Sequence, residues 1–223
     1  MTEISQLSIT KRAALHGALS DEHRLRIVDA LDAGDLTPGE LGILTGISSN
    51  LLAFHLRVLD DAGIVERRRS EGDSRRRYVH LLPGMQSLAM SSAPIQAKRV
   101  AFVCTHNSAR SQFAEAAWRS VGGRSVWSAG SEPAARVHPE AVEAARRFGL
   151  DLAGMQTKGF GAVPRRVDLV VSVCDRAFEL GVPIEGTMMH WSVPDPIERG
   201  SDAFPLAFAD IAGRIERLRG KVA

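Results

Sequence analysis

The sequence predicts two domains of different class: a small, mostly helical domain with a β-hairpin, followed by an α/β domain with a doubly wound, four-stranded parallel sheet. In the first part, residues 10–82, apolar positions recur at helical spacing in short, capped segments. In the second, near-continuous apolar runs alternate with helical patterns. Turn-forming and small residues fill 83–98. We therefore expect domains at 1–90 and 98–223, with a short helix possible at 85–90.

Composition sets limits on the class of protein. With 223 residues, 44% hydrophobic content and a formal net charge of +2, the chain can bury ordinary cores. No apolar run reaches the length of about 18 residues that a membrane span needs, so no membrane partner is expected. Residues 1–5 lack the basic-then-apolar plan of a signal peptide. Two cysteines do not form a disulfide framework, and the prediction is a protein of the reducing cytoplasm.

The helical domain is predicted from its caps. Ser20 precedes an apolar stripe over 25–31, which ends near Gly34. Residues 37–40, TPGE, combine an N-cap, a proline at the first helical position and a capping-box glutamate. Gly46 ends that short helix, and Ser48 begins another that runs to Gly63, with a core side predicted at Leu51, Leu52, Leu56, Val58 and Leu59. Two short helices joined by a glycine-containing turn form a helix-turn-helix.

A β-hairpin with arginines at its tip is predicted next, from strands at 64–69 and 76–82. The hairpin would act as a wing on the phosphate backbone or minor groove of double-stranded DNA, while the second helix reads the major groove. A solvated charged hairpin on a partner-binding module is the alternative. The predicted DNA contacts are Ser48, Ser49, Asn50, His55 and Arg57 on or near the recognition helix, and Arg67, Arg68, Arg69, Arg75, Arg76 and Arg77 on the wing.

This part of the chain resembles the ArsR/SmtB family of winged-helix repressors. The resemblance rests on 19–27 (LSDEHRLRI), 54–59 (FHLRVL), 62–65 (AGIV) and the arginine-rich wing. It implies that the N-terminal domain forms a homodimer and that this dimer binds a near-palindromic operator. Binding of a metal or metalloid would then release the DNA. Arsenic-sensing members carry cysteines near the helix that reads 40–44 (ELGIL) here, and the first 103 residues contain no cysteine. The four histidines of this region lack clustered ligand spacing. We therefore expect no metal site.

A candidate catalytic loop opens the α/β domain. An apolar strand at 99–103 leads into Cys104, five further residues and Arg110-Ser111, after which a helical pattern begins. Loop N–H groups and a helix N-terminus would then converge on one oxyanion. Arg110 could bind two of its oxygens, and the positive field should lower the pKa of a nucleophilic Cys104. A merely buried cysteine at a strand end is the simpler alternative.

Further strands are predicted at 124–130, 168–174 and 188–191, with helices at 138–148 and 203–218. The carboxyl ends of parallel strands share one edge, so Cys104 and Cys174 should lie together there. Cys174 would be a second thiol or a small apolar residue. Asp195, in a stiff 193–196 (VPDP) loop, would be a proton donor or part of an ordinary Asp-Pro turn.

The second half resembles the low-molecular-weight tyrosine phosphatase superfamily and, within it, the arsenate reductases. The matching runs are 104–112 (CTHNSARSQ), 128–133 (SAGSEP), 173–177 (VCDRA), 190–192 (HWS) and 194–196 (PDP). The resemblance implies that Cys104 attacks arsenate, Asp195 protonates the departing oxygen and Cys174 resolves the adduct. Asn107 would shape the loop and Ser111 would donate to the thiolate. The implied oxyanion-binding residues are Thr105, His106, Asn107, Ser108, Ala109, Arg110 and Ser111.

One departure concerns the electron donor. Thioredoxin-linked members of that family carry another cysteine seven residues beyond the position of Cys174, where this chain has Gly181. No bound cofactor is expected, and the reductant would be an external thiol: thioredoxin, a glutaredoxin-like protein or a small thiol. Either this thiol would reduce a Cys104–Cys174 disulfide, or a small-thiol adduct on Cys104 would be cleared by a glutaredoxin-like partner. The sequence thus predicts an arsenate reductase fused to a DNA-binding regulator of arsenic resistance. An oxyanion-sensing repressor with little turnover and a phosphomonoesterase remain alternatives.

Overall fold

The computed structural model describes residues 8–32, 34–88, 94–123 and 125–222. The chain divides into two compact units, one holding Met1–Ser70 and Ser74–Ala93, the other Glu71–Asp73 and Pro94–Ala223. Within the described ranges, no single helix is long and apolar enough to cross a membrane. Two helices, Pro38–Thr45 and Ser49–Asp61, reach that length and hydropathy only as a pair bent by 109°.

In its described residues, the first unit contains four helices and a hairpin. The helices are α1 (Ile9–Ala18), α2 (Glu22–Leu31), α3 (Pro38–Thr45) and α4 (Ser49–Asp61), and strand β1 (Val65–Arg69) pairs antiparallel with β2 (Arg77–Leu81). The helix-turn-helix and its wing therefore appear as predicted. Helix α1 was not predicted from the sequence.

Local sequence explains where these helices begin and end. Asp21, rather than the predicted Ser20, caps α2 by accepting hydrogen bonds from two backbone N–H groups. The capping box between Thr37 and Glu40 forms at α3. Gly46 ends α3 in the left-handed region, at φ +70°. The core prediction for α4 needs one correction, because Leu51 lies on the exposed side of the helix.

The second unit contains a four-stranded parallel sheet, which confirms the predicted α/β class. Its strands are β3 (Arg99–Cys104), β4 (Ser125–Gly130), β5 (Arg166–Ser172) and β6 (Glu185–His190), in the order β4-β3-β5-β6. Five helices accompany it among the described residues: α5 (Arg110–Ser120), α6 (Pro139–Arg146), α7 (Asp175–Leu180), α8 (Pro196–Arg199) and α9 (Ala203–Lys221). Short 3₁₀ turns form at Met85–Leu88 and Phe160–Ala162.

Two predicted elements reach beyond the described residues. The helix expected at 85–90 is the 3₁₀ turn Met85–Leu88, and its last two positions lie outside the described residues. Arg124, the first position of the strand predicted at 124–130, also lies outside them.

The order of the strands decides where a ligand can bind. From β3 the chain moves to β4 on one side and later to β5 on the other, so the winding direction reverses between β3 and β5. In open α/β sheets, the crevice at such a reversal, outside the carboxyl ends of the strands, is the usual ligand site. Cys104 ends β3 and Cys174 follows β5, so both thiols lie at this point.

Both faces of the sheet are buried. Val100, Phe102 and Val171 face the larger core, which includes residues of α5, α6 and α9. Ala101, Val103 and Val170 face the opposite way and pack with Val163 and Ile184. In the larger core Phe113 of α5 stacks on Phe208 of α9, with ring centroids 4.0 Å apart.

We predict that Phe208→Ala lowers the free energy of unfolding of the second unit by about 3–5 kcal/mol, because it leaves a cavity beside Phe113. Leu206→Ala, on the same helix but 73% exposed, is the matched control and should change it by less than about 0.5 kcal/mol. Urea unfolding followed by tryptophan emission measures this, since all three tryptophans (Trp118, Trp127, Trp191) belong to this unit. Equal effects of the two variants would contradict this packing.

Candidate active site

The loop between β3 and α5 is held in place by hydrogen bonds on its outer side. Four of its carbonyl oxygens accept hydrogen bonds from N–H groups of the segment that follows β4. The pairs, at 2.9–3.2 Å, are Cys104 with Ser131, Thr105 with Glu132, His106 with Ala134, and Ser108 with His138. In a planar trans peptide the N–H group points away from the carbonyl. The N–H groups of the next residues therefore face the inside of the loop, where an oxyanion would bind.

Gly130 at the end of β4 is required for this close approach. A Cβ atom at that position would lie 2.4 Å from the carbonyl oxygen of Thr105 and 2.9 Å from the backbone nitrogen of Asn107. Both are backbone atoms, which cannot move aside without deforming the loop. The glycine of the 128–133 run therefore lets the loop lie directly against the strand.

The shape of the loop depends on Asn107, which adopts the left-handed conformation at φ +48°. Its side-chain amide is fully buried and uses its whole hydrogen-bonding capacity. The Nδ2 group donates to the hydroxyls of Ser111 (2.8 Å) and Ser128 (3.0 Å). The Oδ1 atom accepts from Gln112 Nε2 (2.9 Å) and the N–H of Lys158 (2.8 Å). These four bonds hold a backbone geometry that costs about 1–3 kcal/mol.

Glu115 binds two of the residues that contact Asn107, namely Ser128 and Lys158. Its carboxylate accepts hydrogen bonds from Ser128 (2.6 Å), Lys158 (2.8 Å) and Arg119 (2.8 Å). Burial alone would raise the pKa of Glu115, but these hydrogen bonds outweigh it and lower the pKa. Glu115 is therefore a buried anion at neutral pH. Sequence reasoning missed Lys158, because it is distant in the chain from the loop and belongs to no motif.

The thiol of Cys104 is nearly buried, with 3% of the residue exposed. Its sulfur lies 3.0 Å from Ser111 Oγ and accepts a hydrogen bond from the N–H of Asn107 at 3.2 Å. Burial raises the pKa of Cys104, and Arg110 and Ser111 only partly offset this effect. The expected lowering of the thiol pKa is therefore wrong for this state of the loop, because desolvation of the thiolate exceeds the stabilisation by Arg110.

Arg110 and Asp195 form a buried ion pair beside the thiol. Arg110 Nη2 donates to Asp195 Oδ2 at 2.5 Å, and Nη1 donates to the carbonyl of Val193 at 2.8 Å. Asp195 caps α8 through its other oxygen, which accepts from the N–H of Ile197 at 3.1 Å. The structure thus brings Asp195 to the loop. The remaining cavity above Cys104 measures about 10 Å³, roughly the space of one water molecule.

Cys174 lies close to the same loop. Its sulfur is 3.1 Å from Thr105 Oγ1 and accepts from the N–H of Ala177 at the start of α7, at 3.4 Å. Both cysteines are free thiols and both are buried. The structure therefore places a second thiol against the residue that directly follows Cys104.

Three polar groups near Cys174 and Asp195 received no role from the sequence, although Asp175 and His190 lie in the matching runs 173–177 and 190–192. Asp175 and His190 form a buried pair, with Nε2 3.0 Å from Oδ1. Burial would raise the pKa of Asp175, but hydrogen bonds from His190 and from the N–H of Glu71 lower it. The Glu71 carboxylate reaches the site itself, since its Oε2 accepts from the N–H of Asp195 at 2.8 Å. No local pattern marks Glu71, which is far from these residues in the chain.

The predicted DNA-contacting residues of the first unit differ in exposure. Ser48, Ser49, Asn50 and Arg57 are exposed, as are all the wing arginines except the half-buried Arg68. His55 is only 3% exposed, with Nδ1 3.7 Å from Asp21 Oδ1 and its ring 5.3 Å from that of His23. The prediction that His55 contacts bases is therefore corrected, because its position on α4 faces the interior. Among the described residues, no three His, Cys, Asp or Glu side chains are grouped to hold a metal ion.

We predict that Ser111→Ala raises the pKa of Cys104 further, because it removes a hydrogen bond to the sulfur. The thiolate forms above the pKa, so the pH profile of Cys104 alkylation should move to higher pH. Alkylation at neutral pH should become about fivefold slower, since one hydrogen bond is worth about 1 kcal/mol. Ser120→Ala, also on α5, is the matched control. Alkylation rates of the reduced protein across pH, read by peptide mass, provide the measurement. Coincident profiles would exclude this role of Ser111.

Comparison with known proteins agrees with this geometry. Residues 99–223 match the family described as low molecular weight phosphotyrosine protein phosphatase, and residues 19–68 match a helix-turn-helix domain. An arsenate reductase of Bacillus cereus (strain AH187) is 34% identical over 126 residues, which cover 54% of this chain and 93% of that protein. An arsenate reductase of Brevibacillus brevis is 32% identical with the same coverage.

A solved structure described as an arsenate reductase in the phosphate binding state aligns with a TM-score of 0.51 at 28% identity. The alignment covers 56% of this chain and 98% of that one. The matched family model spans more than half of the present sequence. The chain therefore belongs to the low molecular weight phosphotyrosine protein phosphatase family, and within it resembles the arsenate reductases, with a helix-turn-helix domain added at its N-terminal side.

Proposed function

We propose that this protein is an arsenate reductase fused to a DNA-binding regulator of arsenic resistance. The observation that carries the proposal is the second free thiol, Cys174, which contacts Thr105 of the oxyanion loop. Transfer of a phosphoryl group needs one nucleophile and one acid, whereas reduction of arsenate needs two electrons. Two adjacent thiols can supply them. The 34% identity to a curated arsenate reductase supports the same function.

In the first step, the Cys104 thiolate attacks arsenic. Loop N–H groups of 105–111 and the guanidinium of Arg110 bind the arsenate oxygens and stabilise the charge that develops on them. A sulfur–arsenic bond forms, and one arsenate oxygen leaves as water after receiving a proton from Asp195. For this, Arg110 must release Asp195, since the two are paired in the resting site.

In the second step, Cys174 attacks the sulfur of Cys104. The disulfide forms, the sulfur–arsenic bond breaks, and its electron pair stays on arsenic, which leaves as arsenite. Arsenic gains two electrons, and the two thiols lose two electrons and two protons. Because Gly181 stands at the position of the third cysteine, an external thiol must reduce the Cys104–Cys174 disulfide directly. Thioredoxin, a glutaredoxin-like protein or a small thiol could do this.

The N-terminal domain, residues 1–90, would bind an operator in double-stranded DNA as a homodimer, and residues 98–223 would form the reductase. Ser48, Ser49, Asn50 and Arg57 are the proposed contacts of the recognition helix, while Arg67–Arg69 and Arg75–Arg77 on the wing would contact phosphates. His55 is not among them, because it is buried. The need for free thiols favours the cytoplasm.

The reductase proposal is tested by a single turnover of fully reduced protein with arsenate and no added thiol. We expect about one equivalent of arsenite and an intact mass lower by two hydrogens, since oxidation of two thiols to one disulfide supplies two electrons. Cys174→Ser should produce no arsenite under these conditions, and Cys104→Ser should be inactive even with a thiol.

Other outcomes of this experiment favour the alternatives. If the wild-type protein forms arsenite only with a small thiol, Cys174 is not the resolving residue. Hydrolysis of an aryl phosphate that survives Cys174→Ser, without arsenite formation, would indicate a phosphatase. Absence of any turnover, together with an oxyanion-dependent change in operator affinity, would indicate a sensor.

For the wing, we predict that the double variant Arg67→Gln/Arg69→Gln weakens binding to any duplex DNA. Each lost phosphate contact should reduce the slope of log affinity against log salt by about 1. Arg165→Gln, which removes an exposed charge from the reductase unit, should leave both quantities unchanged. Fluorescence anisotropy with a random duplex at several salt concentrations measures them. An unaltered slope in the double variant would exclude these arginines from the interface.

A further inference from the structure

The second unit contains one short segment from another part of the chain, Glu71–Asp73. Its backbone is fixed independently of the Glu71 side chain. The N–H of Glu71 donates to Asp175 Oδ2 at 3.0 Å, and its carbonyl accepts from Arg176 Nε at 3.1 Å. At Gly72, an added Cβ would lie 3.3 Å from the Cα of Arg176. The segment therefore packs directly on the start of α7.

The Glu71 side chain extends from this anchored backbone to the oxyanion loop and is 17% exposed. Its Oε2 accepts from the N–H of Asp195 and lies 3.7 Å from Nη1 of Arg110. Its Oε1 accepts from Nη2 of Arg199 at 3.0 Å. The carboxylate thus bridges the two arginines at the entrance of the site and fixes the backbone that carries the proton donor.

These contacts leave the resting site nearly full. Arg110 faces two carboxylates, Asp195 at 2.5 Å and Glu71 at 3.7 Å, and the cavity above the thiol measures only about 10 Å³. An entering oxyanion needs the guanidinium for itself. It also brings at least one further negative charge next to two existing ones, in a poorly hydrated site where repulsion is strong.

We propose that Glu71 is an internal anion that competes with the oxyanion for Arg110 and stabilises the closed site. Oxyanion binding then requires the Glu71 carboxylate to withdraw, which frees Arg110 and Arg199 and releases the backbone of Asp195. This inference rests on the proposed function of the loop as an oxyanion site. It makes Glu71 a determinant of substrate affinity that touches the catalytic arginine, rather than a residue that takes part in the reaction.

The test is the affinity of the reduced full-length chain for inorganic phosphate, measured by ³¹P NMR titration, which needs no turnover. Glu71→Gln keeps the backbone anchors but removes the charge, so the dissociation constant should fall about tenfold, a usual size for the coupling of two bound groups. Glu143→Gln, an exposed carboxylate paired only with Arg146 among the described residues, is the control for net charge and should match wild type.

Each outcome decides the proposal. An unchanged or weaker affinity in Glu71→Gln, with normal binding in wild type, would overturn it and leave the oxyanion site intact. Absence of phosphate binding in both proteins would overturn the oxyanion site and this inference together. If Glu71→Gln does not fold, as judged by tryptophan emission, Glu71→Asp replaces it. Because the shorter side chain reaches Arg110 less well, the Glu71→Asp variant should bind phosphate more tightly than wild type. Equal affinities of the two proteins would contradict the proposal.

Discussion

The loop between β3 and α5 depends on the four hydrogen bonds of the Asn107 side chain. Without them a non-glycine residue would not hold φ +48° in a fully buried position, and the loop could not turn its N–H groups inward. The bonds connect the loop to the start of α5, to β4 and to Lys158. Ser128 and Lys158 in turn bind Glu115, so the network rests on one buried anion. A deformation anywhere in it would displace Cys104, the proposed nucleophile.

Charge in the resting site is balanced internally. Arg110 is paired with Asp195, and Glu71 lies nearby. Burial of the thiol raises the pKa of Cys104, and Arg110 offsets this effect only in part. An oxyanion that replaces these partners would change the field at every group at once. The resting loop and the loop with a bound oxyanion therefore differ in charge as well as in contacts. The loop N–H groups already face inward, whereas an oxyanion could bind Arg110 only after Arg110 and Asp195 separate.

Much of the fold could be predicted because it is encoded locally. The capping box at 37–40, the glycine at position 46 and the apolar runs of the parallel strands act over a few residues, and the structure confirms the helix-turn-helix and the sheet. The candidate catalytic loop could be located for the same reason, since its residues are contiguous. The wrong predictions concern which side of a helix a residue faces, and the residues that were missed lie far along the chain from the loop. Leu51 and His55 on α4 were assigned to the wrong sides, because spacing alone does not separate the inner from the outer face of a short helix.

The sequence by itself determined the two fold classes, the position of Cys104 at a strand end and the convergence of Cys174 on the same edge of the sheet. All of these follow from residue pattern and from the parallel arrangement of strands. Only the tertiary structure decided which charges surround Arg110, the direction of the Cys104 pKa shift and the place of Glu71. These depend on burial and on contacts between residues that are distant in the chain, such as Arg110 with Asp195. Desolvation and long-range ion pairing leave no periodic signal in a chain, so no local pattern could have shown them.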